Sequence, residues 1–212
     1  MTDTAVVGAR RQPVQERSAA RVERMLDAAA ALLDEVGHDG TTTSTIARRA
    51  RVSVGSLYQF FPDRRALLQA LAVRSFTRFS DSLDRSLSEQ APADWRAAVH
   101  LVIDEYVAFT RSEPGMRVLS FGGPVDTQLL TADQDNNAIV GARLEQVLAA
   151  VVPDLRPSEG LTLTVRVAVE AADAVLALAF ARDVSGDPAV VAEIRKLLTA
   201  YLAASGYLPS QP

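Results

Sequence analysis

The side chains that usually do chemistry are sparse in this sequence. There are two histidines, His38 and His100, far apart in the chain, and no cysteine in 212 residues. No HExxH pair, GxSxG elbow, Walker-type glycine loop or GxGxxG after a strand is present. Asp104 and Glu105 are neighbours on a helical stretch, so they point to different faces and cannot work as a carboxylate pair. Gly122-Gly123-Pro124 reads as a turn between helices rather than a phosphate cradle. Catalysis, a bound metal and a cofactor are therefore not expected, and disulfides are excluded.

The residues with a recognisable use are polar, small and clustered. Thr43, Ser44 and Thr45 place three hydroxyls at the start of a short helix. A second short segment presents Ser53, Val54, Gly55, Ser56, Tyr58 and Gln59 outward. Small residues there allow close backbone approach, and free N–H groups at a helix start favour phosphate. Tyr58 and Gln59 can hydrogen-bond to phosphates or base edges, and Arg48, Arg49, Arg51 and Arg64 ring the surface with cations. A core position for the Tyr58 ring is the competing reading, and simple helix capping is that for Thr43. The net charge of −4 argues against a nucleic-acid partner until its distribution is considered. Residues 1–80 carry 12 arginines against 8 carboxylates, whereas residues 81–212 carry 10 basic against 18 acidic side chains. A basic front and an acidic rear suit a DNA-binding module joined to something else.

Short helices cannot hold themselves up, so longer ones must position them. Periodicity predicts an all-α chain of about nine helices with no strand or repeat. Residues 1–17 read as a flexible arm. The first helix spans about Ala19 to Val36, with Ser18 as its cap, Val22, Met25, Leu26, Ala29, Leu32, Leu33 and Val36 as its apolar face, and Gly37 as a left-handed stop. Helices follow over Thr43–Ala50 and Ser53–Phe60. Ile46, Ala47, Ala50, Leu57 and Phe61 face inward and Val52 plugs the turn. A longer helix starts at Pro62-Asp63 and reaches about Leu87, with Leu67, Leu68, Leu71, Phe76 and Phe79 inward. Asp94 precedes a seam of Trp95, Val99, Val102, Tyr106 and Phe109. Further helices are expected over Met116–Phe121, Asp133–Val152, Ser158–Arg182 and Pro188–Ser205, the last capped by Asp187. The domain boundaries drawn from this are 18–64 for the helix-turn-helix and 65–212 for the rest.

The run Thr41-Thr42-Thr43, then Ile46 through Leu68, with Met25-Leu26-Asp27-Ala28-Ala29 and Gly37 before it, closely resembles the TetR family of transcriptional regulators over roughly residues 17–70. The resemblance implies an N-terminal three-helix DNA-binding domain and a C-terminal helical domain for ligand binding and dimerisation. It implies a regulator, by default a repressor, that binds a palindromic operator as a homodimer and is released by a small-molecule effector, with pivoting of the fourth helix as the means. The positions matching the family's DNA contacts are Thr43, Ser44, Val54, Gly55, Ser56, Tyr58, Gln59 and Arg64, to which Arg48 is added from the rim. One departure stands out: the family usually has glycine in the turn where this chain has Arg51, which at positive φ costs about 1 kcal/mol. Arg10, Arg11 and Arg17 form either a minor-groove arm or a solvated tail.

For the rear domain the resemblance implies a four-helix dimer interface built from the last two helices, about 158–182 and 188–205. In Leu161–Ala181 the polar residues Thr162, Arg166, Glu170 and Asp173 fall on one stripe and the remainder is apolar, a pattern that a partner chain or an intramolecular core would both satisfy. Arg166, Glu170 and Asp173 also interrupt this stretch as a membrane span, and Met1 to Ala20 lack a signal-peptide core, so a cytoplasmic protein without a membrane partner is expected. Candidate ligand contacts are Trp95, Val99, His100, Tyr106, Phe109, Phe121, Arg166 and Glu170, suited to a small, partly apolar molecule. A helical dimer that binds DNA or a partner without ligand control is the alternative.

Overall fold

A computed structural model describes residues 12–119 and 136–209. Among the described residues it has nine helices and no strand: α1 (Gln12–Gly40), α2 (Thr43–Ala50), α3 (Val54–Tyr58), α4 (Arg64–Gln90), α5 (Trp95–Ser112), α6 (Met116–Leu119), α7 (Asn136–Val151), α8 (Glu159–Arg182) and α9 (Pro188–Ala204). The chain divides into two compact units between Leu71 and Ala72, within α4. The sequence reading draws its boundary after residue 64, seven residues before this division. Leu67, Leu68 and Leu71 are fully buried on the first turns of α4 and belong with the first unit.

The first unit is built on α1. Its apolar stripe buries Met25, Leu26, Ala29, Leu32 and Leu33 as the period of 3.6 requires. Two expectations about its ends fail. The helix begins at Gln12, so Ser18 lies inside it rather than capping it and Arg17 is helical and exposed. Val36 is 53% exposed. Gly37, at φ 68° and ψ −173°, breaks the helical path there and occupies a region open essentially to glycine alone. Its φ is positive as expected, but its ψ is extended rather than left-handed helical. The turn brings Gly40 back against the Val36 side chain, where a Cβ would come within 2.6 Å of Cγ2. Thr41, fully buried beyond it, donates its hydroxyl to the Gly37 carbonyl at 2.7 Å.

In the second unit the predicted α5 seam is real: Trp95, Val99, Tyr106 and Phe109 are buried. Asp94 caps this helix by accepting from the Ala97 N–H at 2.8 Å. The Phe79 ring from α4 meets Tyr106 and Phe109 edge-on, at 5.9 and 5.5 Å between centroids. Glu105 accepts from both Ser82 and Ser86 of α4, at 2.5 and 2.6 Å, while its neighbour Asp104 pairs with Arg195 of α9. Inward residues of α8 and α9, among them Val165, Ala168, Leu176, Ile194 and Leu198, complete the core. The Trp95 indole lies under the Arg96 guanidinium, 4.4 Å from the ring centroid, and donates to the Pro209 carbonyl at 3.1 Å. Phe121 and residues 133–135 lie outside the described residues, as do Arg10 and Arg11 and the Gly122-Gly123-Pro124 turn. No helix among the described residues is long and apolar enough to cross a membrane.

Candidate nucleic-acid interface and ligand cavity

Each short helix of the first unit is fixed at its ends by its own side chains. Thr42 caps α2 in a reciprocal box: its hydroxyl accepts from the Thr45 N–H at 3.2 Å, and the Thr45 hydroxyl accepts from the Thr42 N–H at 2.8 Å. At the other end the Val52 N–H donates to the Ala47 carbonyl and the Arg51 N–H to that of Arg48, a Schellman stop. Arg51 itself sits at φ 57° and ψ 46°, a left-handed conformation held by a residue with a Cβ. Ser53 then caps α3 by accepting from the Ser56 N–H at 3.0 Å.

Burial decides which side of α3 is free. Leu57 is fully buried and Phe61 nearly so, anchoring the helix on one side. On the other, Tyr58 is 50% exposed and Val54 39% exposed. Ser53, Gly55 and Gln59 are exposed too, and nothing lies within 4 Å of a Cβ built on Gly55. Tyr58 is therefore no core tyrosine. Its hydroxyl meets that of Thr43 at 3.4 Å, so the first residue of α2 and the last of α3 share one outer surface. Thr43 and Ser56 are half-buried at its edge, and Ser44 and Arg48 are exposed.

The arginines divide by task. Arg49 grips Glu35 of α1 with two hydrogen bonds, at 2.5 and 2.7 Å. That bond holds the Glu35 carboxyl below its ordinary range and the guanidinium above its own. Arg64 is half-buried and donates to the His38 carbonyl at 2.5 Å, so its guanidinium ties α4 to the end of α1. The same carbonyl accepts from the Thr41 N–H at 3.2 Å and belongs to the last turn of α1, where carbonyls lack helical partners. The sequence reading also places Arg64 among the DNA contacts, a role proposed for it with the rest of that surface.

The second unit encloses a cavity among α4, α5, α7, α8 and α9, with about 610 Å³ of space free of atoms, its mouth included. Val99 and Tyr106, of the expected ligand contacts, line it. The others do not. Trp95 and Phe109 are core residues. His100 is half-buried and faces Thr199 at 3.3 Å, and Arg166 and Glu170 form an exposed ion pair at 3.3 Å. The sequence reading missed Asp173, which lines the cavity with Tyr106 and Asn137 as its polar members. Asp173 had been assigned to the polar stripe of its helix. A signal was available: Val169 and Phe180, four before and seven after it, share its helical bearing and are both buried. Burial and the negative Glu170 push its carboxyl up to about 7, while Asn137 and Tyr106 beside it pull the other way.

A capped two-helix turn with one bare face, in a chain whose second unit is a helical bundle around an apolar cavity, is the architecture of helix-turn-helix regulatory proteins. Residues 25–71 match the family model described as bacterial regulatory proteins, tetR family, and residues 93–205 match that of the tetracyclin repressor-like C-terminal domain. The chain belongs to the TetR family. It is 37% identical to a TetR-family transcriptional regulator of Streptomyces coelicolor, with a TM-score of 0.70 over 87% of this chain and 99% of that one. Over 66 residues it is 38% identical to the transcriptional repressor KstR of Mycobacterium tuberculosis, covering 31% of this chain and 30% of that protein. Over 59 residues it is 42% identical to the class D tetracycline repressor of Escherichia coli, covering 28% and 27%. The chain thus spans less than a third of the length of these two repressors.

Proposed function

We propose that this protein is a cytoplasmic transcriptional regulator, a repressor that binds a palindromic operator as a homodimer and releases it when a small molecule enters the cavity of the second unit. The observation that carries the reading is the bare outer side of α3 opposite a fully buried Leu57. That helix is short, firmly seated, free of bulky side chains at Val54 to Ser56, and flanked by hydroxyls, as insertion into a major groove demands. Thr43, Ser44, Arg48, Val54, Gly55, Ser56, Tyr58, Gln59 and Arg64 form the proposed contact surface.

Dimerisation through α8 and α9 is supported by what those helices leave uncovered. Leu163, Val167 and Leu178 of α8 and Leu197 and Tyr201 of α9 are exposed, with Leu163 at 64%. Apolar residues repeated along two neighbouring helices favour a second copy as their cover. Two copies present two α3 helices to successive major grooves about 34 Å apart. An effector shifts the population off DNA only if it prefers the non-binding arrangement by a few kcal/mol.

Selection of bound duplexes from a random pool, followed by gel shifts at several salt concentrations, tests this. An enriched palindrome bound with a steep salt slope is expected. Monomeric protein without preference for any duplex would overturn the proposal.

A further inference from the structure

We propose that Asp173 makes the cavity of the second unit selective for an apolar molecule carrying one basic nitrogen, held as an ammonium against the Asp173 carboxylate. The inference rests on reading this cavity as the effector site. Among the described residues the wall is apolar apart from Tyr106, Asn137 and Asp173, and no lysine, arginine or histidine lines it. One carboxylate oxygen of Asp173, Oδ1, is buried without a hydrogen-bond partner. The nearest cation on its own helix, Arg166, is engaged by Glu170, which also accepts from the Asn137 amide at 2.8 Å.

Among the described residues, the groups facing Asp173 are Glu170 on α8, Tyr106 on α5 and Asn137 on α7, and none is positive. An anion in an apolar wall with no counter-ion has three kinds of ligand to meet. A carboxylate brings a second negative charge to it. A neutral alcohol can donate to the buried oxygen but leaves its charge uncompensated. An ammonium supplies both the missing charge and an N–H donor in a setting where such a bond is strong. Desolvation already resists ionisation of this carboxyl, and a bound cation reverses that resistance, so binding and proton release are coupled.

Octylamine, octanol and octanoate have equal chains and differ in the head group, so calorimetric titration of all three into the full-length protein at moderate salt isolates the preference. Wild-type protein is expected to bind octylamine roughly tenfold or more tighter than octanol, with octanoate weakest. In the near-isosteric Asp173→Asn the amine preference should collapse to about twofold or less. Equal affinity for octylamine and octanol in wild type, or a preference that survives Asp173→Asn, overturns the inference. The cavity reading is judged separately by uncharged octanol, which must bind wild type and be excluded by Ala172→Phe or the milder Ala172→Leu. Octanol binding lost in those variants without any amine preference removes only the role of Asp173. If none of the three probes binds wild type, both readings fall.

Discussion

The hydroxyls of Tyr58 and Thr43 lie 3.4 Å apart, joining the end of α3 to the start of α2 on the exposed side of the turn. Neither ring nor hydroxyl is needed by the core, since Tyr58 is half-exposed. Tyr58→Ala should therefore weaken operator binding by about 1–3 kcal/mol while leaving unfolding free energy within ~0.5 kcal/mol of wild type. Gel shifts and thermal melts on the same preparation check both halves. Unchanged binding would remove Tyr58 from the contact surface.

Leu57, its neighbour, should behave in the opposite way. Fully buried, it is the side chain that seats α3, and Leu57→Ala should destabilise the first unit by about 2–5 kcal/mol. Denaturant titration followed by circular dichroism measures it. A loss under about 1 kcal/mol would mean that α3 is held by its Ser53 cap rather than by this anchor.

Arg51 carries a left-handed backbone that glycine adopts freely. Relief of that strain outweighs the extra freedom glycine gives the unfolded chain, so Arg51→Gly should stabilise by roughly 0.5–1 kcal/mol. If the guanidinium also meets a phosphate, the same variant lowers the salt slope of DNA binding by about one. A lower melting temperature would contradict the strain argument.

The raised Asp173 carboxyl makes stability depend on pH in a definite direction. With its folded value near 7 and an ordinary value of 3.8, the folded chain holds a proton that the unfolded chain gives up between those two values. Its contribution to stability is greatest at low pH, falls as pH rises through 7 and is level above that. Asp173→Asn should therefore gain on wild type between pH 5 and pH 8, by on the order of 1–2 kcal/mol once partial exposure is discounted. Parallel melting curves at the two pH values would refute it.

Leu163 and Leu197 bear on assembly. Either residue changed to glutamate puts a charge on the proposed dimer face and should yield monomers in sedimentation, with operator affinity reduced at least tenfold. A dimer that survives both changes would place the interface elsewhere.

Much of this architecture was legible because it is written in local spacing. The α5 seam from Trp95 to Phe109, the inward Ile46, Ala47 and Leu57, and the Asp94 and Asp187 caps all follow from contacts within a few residues. Where the reading missed, the deciding feature was a backbone break or a partner distant in sequence. Val36 continues the α1 stripe, but the break at Gly37 leaves it facing solvent. His100, expected in the ligand site, is drawn instead to Thr199. Asp173 reads as a surface acid until α5 and α7 close over it. Spacing shows that a helix is amphipathic, whereas which neighbour covers its margin is settled only by tertiary packing.

The chain has one tryptophan, and Trp95 is fully buried in the second unit, its N–H on the Pro209 carbonyl. Indole emission accordingly watches only the half that holds the cavity, whereas far-ultraviolet ellipticity watches both halves. Heating Leu57→Ala with the two signals recorded together would show whether the halves melt as one: an early ellipticity loss with steady emission would mean that the DNA-facing half can let go while the bundle stays intact.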